Sequence, residues 1–204
     1  MELKTKVLAQ GITTLTDARY FSSKNVSWLG FNFDAGAELY LAPEQAVEIS
    51  KWVNGPRLVG MFGAADVEAI NRIAASLDLE LVVLSSRPES TTLAQIQSPI
   101  YLSVGIQTES ELPEIERLIN EFATRVEGFI LRVGTNLNLG TAQFKKWCDT
   151  HRIILQANQN RILTLIASLN VYGVVVEAGD EIRTGLRDFE AVDELMEALA
   201  GNAK

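Results

Sequence analysis

The chain has few of the residues that staple small or secreted folds. One cysteine, Cys148, in 204 residues excludes an intrachain disulfide framework. One histidine, His151, beside that single cysteine excludes a Cys/His structural zinc site built from one chain. Five prolines are scattered, and no Pro/Gly/Ser-rich stretch marks a linker. Basic residues are the scarcer charge: 18 Lys and Arg stand against 26 Asp and Glu, a net of -8. An acidic chain without a basic run repels phosphate backbones, so nucleic acid is not an expected partner. No window reaches the roughly 18 consecutive apolar residues of a membrane span. The start, MELKTKVLAQGI, lacks the apolar stretch of a signal peptide. The expected location is the cytoplasm, with no membrane partner.

What is present is an ordinary globular balance, 47% hydrophobic and 22% charged. Short apolar, β-branched runs alternate with longer helical patterns. The expected strands are 7–12, 28–33, 57–63, 79–86, 100–106, 128–134, 152–159 and 171–179. They do not alternate cleanly with polar residues, which suits parallel strands covered on both faces. Amphipathic stretches separate them. Pro43 is placed for a helix start and Asp66 for an N-cap. Leu112, Ile115, Leu118, Ile119 and Phe122 recur at helical spacing. TTLAQIQ, after the fourth strand, is the weakest helical pattern.

Eight such units in 204 residues average about 25 residues each, the size of a parallel crossover. A closed (β/α)8 barrel and an open doubly wound sheet both fit; consecutive units without a linker favour the barrel. Residues 1–204 read as one compact (β/α)8 TIM-barrel domain.

In that architecture chemistry sits at the carboxyl ends of the strands. The polar residues there are Gln10, Asn32, Asp34, Ser85, Ser86, Arg87, Gln107, Thr108, Arg132, Gln156, Asn158, Gln159, Glu177, Asp180 and Glu181. Arg132 interrupts an apolar strand, GFILRVG, and a buried guanidinium needs a partner. It reads either as an anion clamp or as the ion-pair partner of Glu177, which lies two strands away on the inner side, or of another mouth carboxylate. Contact between the two is expected. Glu177 reads as a general base, a ligand contact or that same partner.

His151 precedes a strand and belongs at the opposite, amino-terminal end. Cys148, beside Trp147, reads as a small buried hydrophobe. No Ser-His-Asp arrangement, H-E-x-x-H or EF-hand pattern occurs, and no metal or cofactor is expected. GTNLNLGT and EAGDEIRTG are the two thin possibilities for a phosphate cradle.

A resemblance runs collinearly over most of the chain. QGITTLTDA (10–18) resembles C-G-I-T-x-x-x-D-A, and WLGFNF resembles A-L-G-F-x-F. LYLAPEQAVEI (39–49) resembles R-Y-[VI]-[ST]-P-E-x-A, and RLVGMFG resembles V-G-V-F-x-N. GDEIRTGLRD (179–188) resembles G-V-E-x-x-P-G-x-K-D. These are the motifs of the phosphoribosylanthranilate isomerase family, the barrel enzymes of tryptophan biosynthesis. The resemblance implies a (β/α)8 barrel and an Amadori rearrangement driven by a Cys after the first strand and an Asp on the sixth.

Those two positions hold Gln10 and Arg132 here. The family's Arg before the Tyr, associated with the substrate's carboxylate, is Leu39. Q-L-H-G reads Val83-Leu84-Ser85-Ser86, the glycine pair reads Ala157-Asn158 or one position later, and S-S-G reads Glu177-Ala178-Gly179.

Three readings follow. The first is a divergent member that has lost the isomerase activity and binds another small anionic or phosphorylated molecule, or a partner. Its expected ligand-binding residues are Gln10, Asn32, Arg132, Asn158, Glu177 and Gly179. The second is an active isomerase with substitute groups drawn from Asp34, Glu177 or Asp17, although Asp17 also reads as a cap of the first helix. The third is another reaction using Glu177 as base and Arg132 as anion clamp.

Overall fold

The computed structural model describes residues 3–135, 137–138, 142–179, 181–183 and 186–201. Eight parallel strands close into a barrel in chain order. They are β1 (Lys6–Gln10), β2 (Trp28–Asn32), β3 (Arg57–Phe62), β4 (Leu81–Leu84), β5 (Ile100–Ile106), β6 (Gly128–Val133), β7 (Ile153–Gln156) and β8 (Gly173–Glu177). Closure is made by β8 against β1, in register from Lys6–Gly173 to Gln10–Glu177. The helices are α1 (Leu15–Ser23), α2 (Pro43–Ser50), α3 (Val67–Leu77), α4 (Ser90–Leu93), α5 (Leu112–Phe122), α6 (Ala142–Thr150), α7 (Gln159–Ser168) and α8 (Glu190–Leu199). No described helix is long and apolar enough to cross a membrane.

Local chemistry sets these boundaries. Asp66 accepts from the Ala69 N–H at 2.7 Å and starts α3, as its position predicts. Thr14 and Asp17 form a reciprocal capping box at α1. The weak pattern at 91–97 yields only the four-residue α4. The unexpected element is a small antiparallel hairpin, β9 (Glu181–Arg183) and β10 (Leu186–Arg187), between β8 and α8.

The alternation of side chains along each strand builds two cores. Val7, Ala9, Leu29, Phe31, Leu131 and Val176 face outward and pack under the helices with Phe21, Phe122 and Trp147. Each large side chain buried this way is worth about 1.5–3 kcal/mol. Leu8, Trp28, Val59, Val83, Ile130, Ile154 and Val175 face inward and fill the cylinder.

The amino-terminal end is capped by Trp28, Tyr101 and Tyr172. Lys6 Nζ lies 5.0 and 4.6 Å from the Trp28 and Tyr172 ring centres. Trp28 Nε1 donates to Glu80 at 3.1 Å, and burial pushes the Tyr101 phenol well above its ordinary pKa. The other end, at the carboxyl ends of the strands, is where barrels of this class carry their chemistry.

Candidate functional site

Inward parity carries up to the carboxyl rim. Leu8 faces in, so Gln10 does; by the same two-residue step Asn32, Ser103, Gly105, Arg132, Gln156 and Glu177 join it. Register links them sideways: Gly105 sits beside Arg132, Arg132 beside Gln156, and Gln10 beside Glu177. Of the expected strand-end residues, Gln10, Asn32, Arg132, Gln156 and Glu177 thus share one mouth, and Ser103 and Gly105, for which the sequence carried no separate signal, belong with them.

Gln10 is 7% exposed, and its Nε2 has no hydrogen-bond partner. An unsatisfied buried amide donor costs about 1–3 kcal/mol. Gly11, at φ +77, turns the chain out of β1. A Cβ there would lie 3.3 Å from Leu39 Cδ1, so Leu39 covers the chain next to Gln10. Leu39 and Tyr40 remain about two-fifths exposed, at 39% and 41%, an apolar lip on this side.

Glu177 accepts from Gln156 Nε2 at 2.6 Å. This corrects the expected contact with Arg132. No ion pair joins Arg132 and Glu177, because Gln156 stands on the strand between them and takes the carboxylate. Nor is Arg132 buried. Its guanidinium leans over Gly105, where a Cβ would sit 3.7 Å from Nη2, and stays hydrated without needing a counter-charge. Removing an exposed, unpaired side chain changes stability by about 0.5 kcal/mol or less. Arg132→Ala is therefore expected to leave the urea midpoint nearly unchanged. A loss of several kcal/mol would show a partner that the geometry lacks.

The remaining candidates shape the rim. Asn32 Oδ1 accepts from the Asp34 N–H at 3.0 Å, and Asp34 Oδ1 from the Gly36 N–H at 3.2 Å. Asp34 also presses on Gly63, where a Cβ would lie 1.9 Å from Oδ2. Both are used in the β2–α2 turn. Asn158 spends its side-chain oxygen on the Arg161 N–H at 3.1 Å, capping α7. Arg161 in turn donates to the carbonyls of Gly134 and Leu137, tying down the start of the segment GTNLNLGT. Gly179 passes so close to the chain entering α8 that a Cβ would meet Asp188 O at 1.7 Å. Asp180 lies outside the described residues, so the EAGDEIRTG cradle is described only in part.

A buried ion pair behind the mouth escaped the sequence reading. Asp17 Oδ1 and Arg187 Nε are 3.3 Å apart, with side chains 3% and 9% exposed. Arg187 also donates to Gly179 O at 2.9 Å and Thr13 Oγ1 at 3.0 Å. Only the resemblance at 179–188, with a basic residue before Asp188, could have drawn attention to it.

Two residues lie away from the mouth, as expected. His151 follows α6 at the amino-terminal end, edge-on to Phe129, and burial with Lys146 lowers its pKa. Cys148 is buried on α6, and burial pushes its thiol up to about 11. A disulfide reagent at mildly alkaline pH is expected to leave it unmodified until the chain is unfolded. Rapid labelling of the native protein would contradict this burial.

The comparisons with known proteins agree with this architecture. The family model for N-(5'phosphoribosyl)anthranilate (PRA) isomerase matches residues 7–198, from β1 into α8. The isomerase of Geobacter sp. (strain M21) is 25% identical over 197 residues, covering 92% of this chain and 94% of the relative. That of Thermotoga neapolitana is 25% identical over 202 residues, covering 94% and 96%. Among solved structures, monomers made from the dimeric isomerase of Thermotoga maritima match with a TM-score of 0.81 at 22% identity, covering 97% and 99%. The Pyrococcus furiosus isomerase gives 0.77 at 17%, with the same coverage. The match of the family model along nearly the whole closed barrel places this chain in the N-(5'-phosphoribosyl)anthranilate isomerase family.

Proposed function

We propose that this family member has given up the sugar rearrangement and uses the barrel mouth to bind a different small anionic molecule, in the cytoplasm. The rearrangement needs one group to protonate the ribose ring oxygen and another to take a proton from carbon, both poised near the working pH. At the positions that match the family's Cys and Asp stand an amide, Gln10, and a guanidinium, Arg132. The first does not titrate in the useful range and the second stays protonated.

The observation that carries the reading is Arg132 itself. It is a fixed cation on the inner side of β6, exposed and without an ion-pair partner among the described residues. A positive charge that no described group neutralises suits an anionic ligand better than a proton transfer. The mouth carboxylates give little support to substitute catalysis, because Glu177 is held by Gln156 and Asp34 by its own turn.

The test is complementation of a tryptophan auxotroph that lacks the isomerase. No growth is expected at ordinary expression, and robust growth would overturn the reading. A thermal-shift screen of phosphorylated sugars and small carboxylates is expected to raise the melting temperature with at least one of them, by mass action.

A further inference from the structure

Building on that reading of the mouth, we infer that the ligand's terminal oxyanion, a phosphate or carboxylate group, sits between the ends of β4, β5 and β6, held by Arg132 and Ser103. A cavity of about 190 Å³ opens there, with the polar Ser85, Ser86, Arg87, Ser103 and Arg132 on one side and the apolar Leu84, Leu102, Val104 and Leu118 toward α5 on the other. At roughly 30 Å³ per water it has room for a tetrahedral oxyanion and a few waters.

The donors differ in what they have left to give. Ser85 and Ser86 already donate to the carbonyls of Phe62 and Gly63, so they are walls. Arg87 is paired with Glu121 at 2.5 Å and lies over the Phe122 ring, so its charge is largely answered. The side chains of Arg132 and the half-buried Ser103 have no hydrogen-bond partner among the described residues. With no side chain at Gly105, Arg132 Nη2 lies 3.7 Å from where a Cβ would sit, on the same cavity wall as Ser103.

A planar guanidinium beside a hydroxyl matches an oxyanion, with two parallel N–H bonds and one O–H bond. On a chain of net charge -8, an unneutralised cation in a concave site is where an anion would be drawn. The alternative at α7 is less open, since Asn158 caps that helix and Arg161 is spent on two carbonyls.

The test is titration of the full chain with inorganic phosphate, and separately with acetate, at constant ionic strength by calorimetry. Saturable phosphate binding is expected, weakened at least tenfold in Arg132→Gln and several-fold in Ser103→Ala. Arg132→Lys, which keeps the charge without the fork, is expected to fall between. Lys51→Gln on α2, paired with Glu48, serves as a remote control and is expected to bind as the parent does. Circular dichroism of Arg132→Gln checks that it stays folded. Saturable acetate binding with the same Arg132 dependence would extend the site to carboxylates. No saturable binding of either anion, or equal affinity in Arg132→Gln, would overturn the inference. Isomerase turnover by the parent would sink the functional reading while leaving this titration unaffected.

Discussion

The double variant Gln10→Cys, Arg132→Asp is expected to convert phosphoribosylanthranilate at least two orders of magnitude faster than the parent chain. Each well-placed acid or base contributes about 10²–10⁴-fold, and groups that act as a unit give little when present singly. Gln10→Cys alone and Arg132→Asp alone are therefore expected to remain near the parent's rate. Both replacements suit the scaffold. The first removes a buried amide donor that has no partner, and the second alters an exposed side chain that is in no ion pair among the described residues. Steady-state assays of the four proteins check this. A double variant no faster than the parent, or one single variant as fast as the double, would contradict the proposal that these two positions carry the difference from the family.

Arg187→Met is expected to lower folding stability by about 3–5 kcal/mol, the usual result of stranding a buried charge. Asp17 is 3% exposed and would keep only the Thr13 and Thr14 N–H groups, at 3.1 and 3.0 Å, and the Thr13 hydroxyl. The pair also joins the β1–α1 loop to the β9–β10 hairpin and, through Gly179, to the end of β8. It thus fastens the first βα unit to the last at the seam where the barrel closes. Asp17→Leu with Arg187→Met is expected to be less damaging than Arg187→Met alone, because no charge is stranded, although the α1 capping box is lost at about 1 kcal/mol. Urea midpoints at constant m-value measure both. Midpoints equal to the parent's would contradict the clamp.

Smaller effects come from the surface. Asp193 accepts from Tyr20 at 2.6 Å and pairs with Lys24, and these bonds lower its pKa. The stability they contribute is present above the ordinary carboxylate pKa and fades as pH falls through the lowered one. Asp193 is 44% exposed, so solvent screens much of it.

Hydrophobic runs made the barrel legible, since eight apolar segments spaced by amphipathic stretches admit few other architectures. Asp66 and Pro43 fixed helix starts for the same local reasons that operate in the structure. The β9–β10 hairpin was not legible, because three- and two-residue strands in EIRTGLR carry no apolar period.

A count of two from Tyr101 puts Ser103 and Gly105 inside, beside Arg132. The Arg132–Glu177 pairing failed because proximity two strands apart ignores the strand between. Gln156, already noticed as a polar strand end, is what fills it. An arginine in an apolar strand need not be buried when it is the last inward residue before the rim, as Arg132 is.

The most direct measurement is steady-state turnover of phosphoribosylanthranilate by the purified parent chain. The account predicts conversion no faster than the uncatalysed background in buffer. A kcat in the ordinary enzymatic range of about 1–10³ s⁻¹ would contradict it.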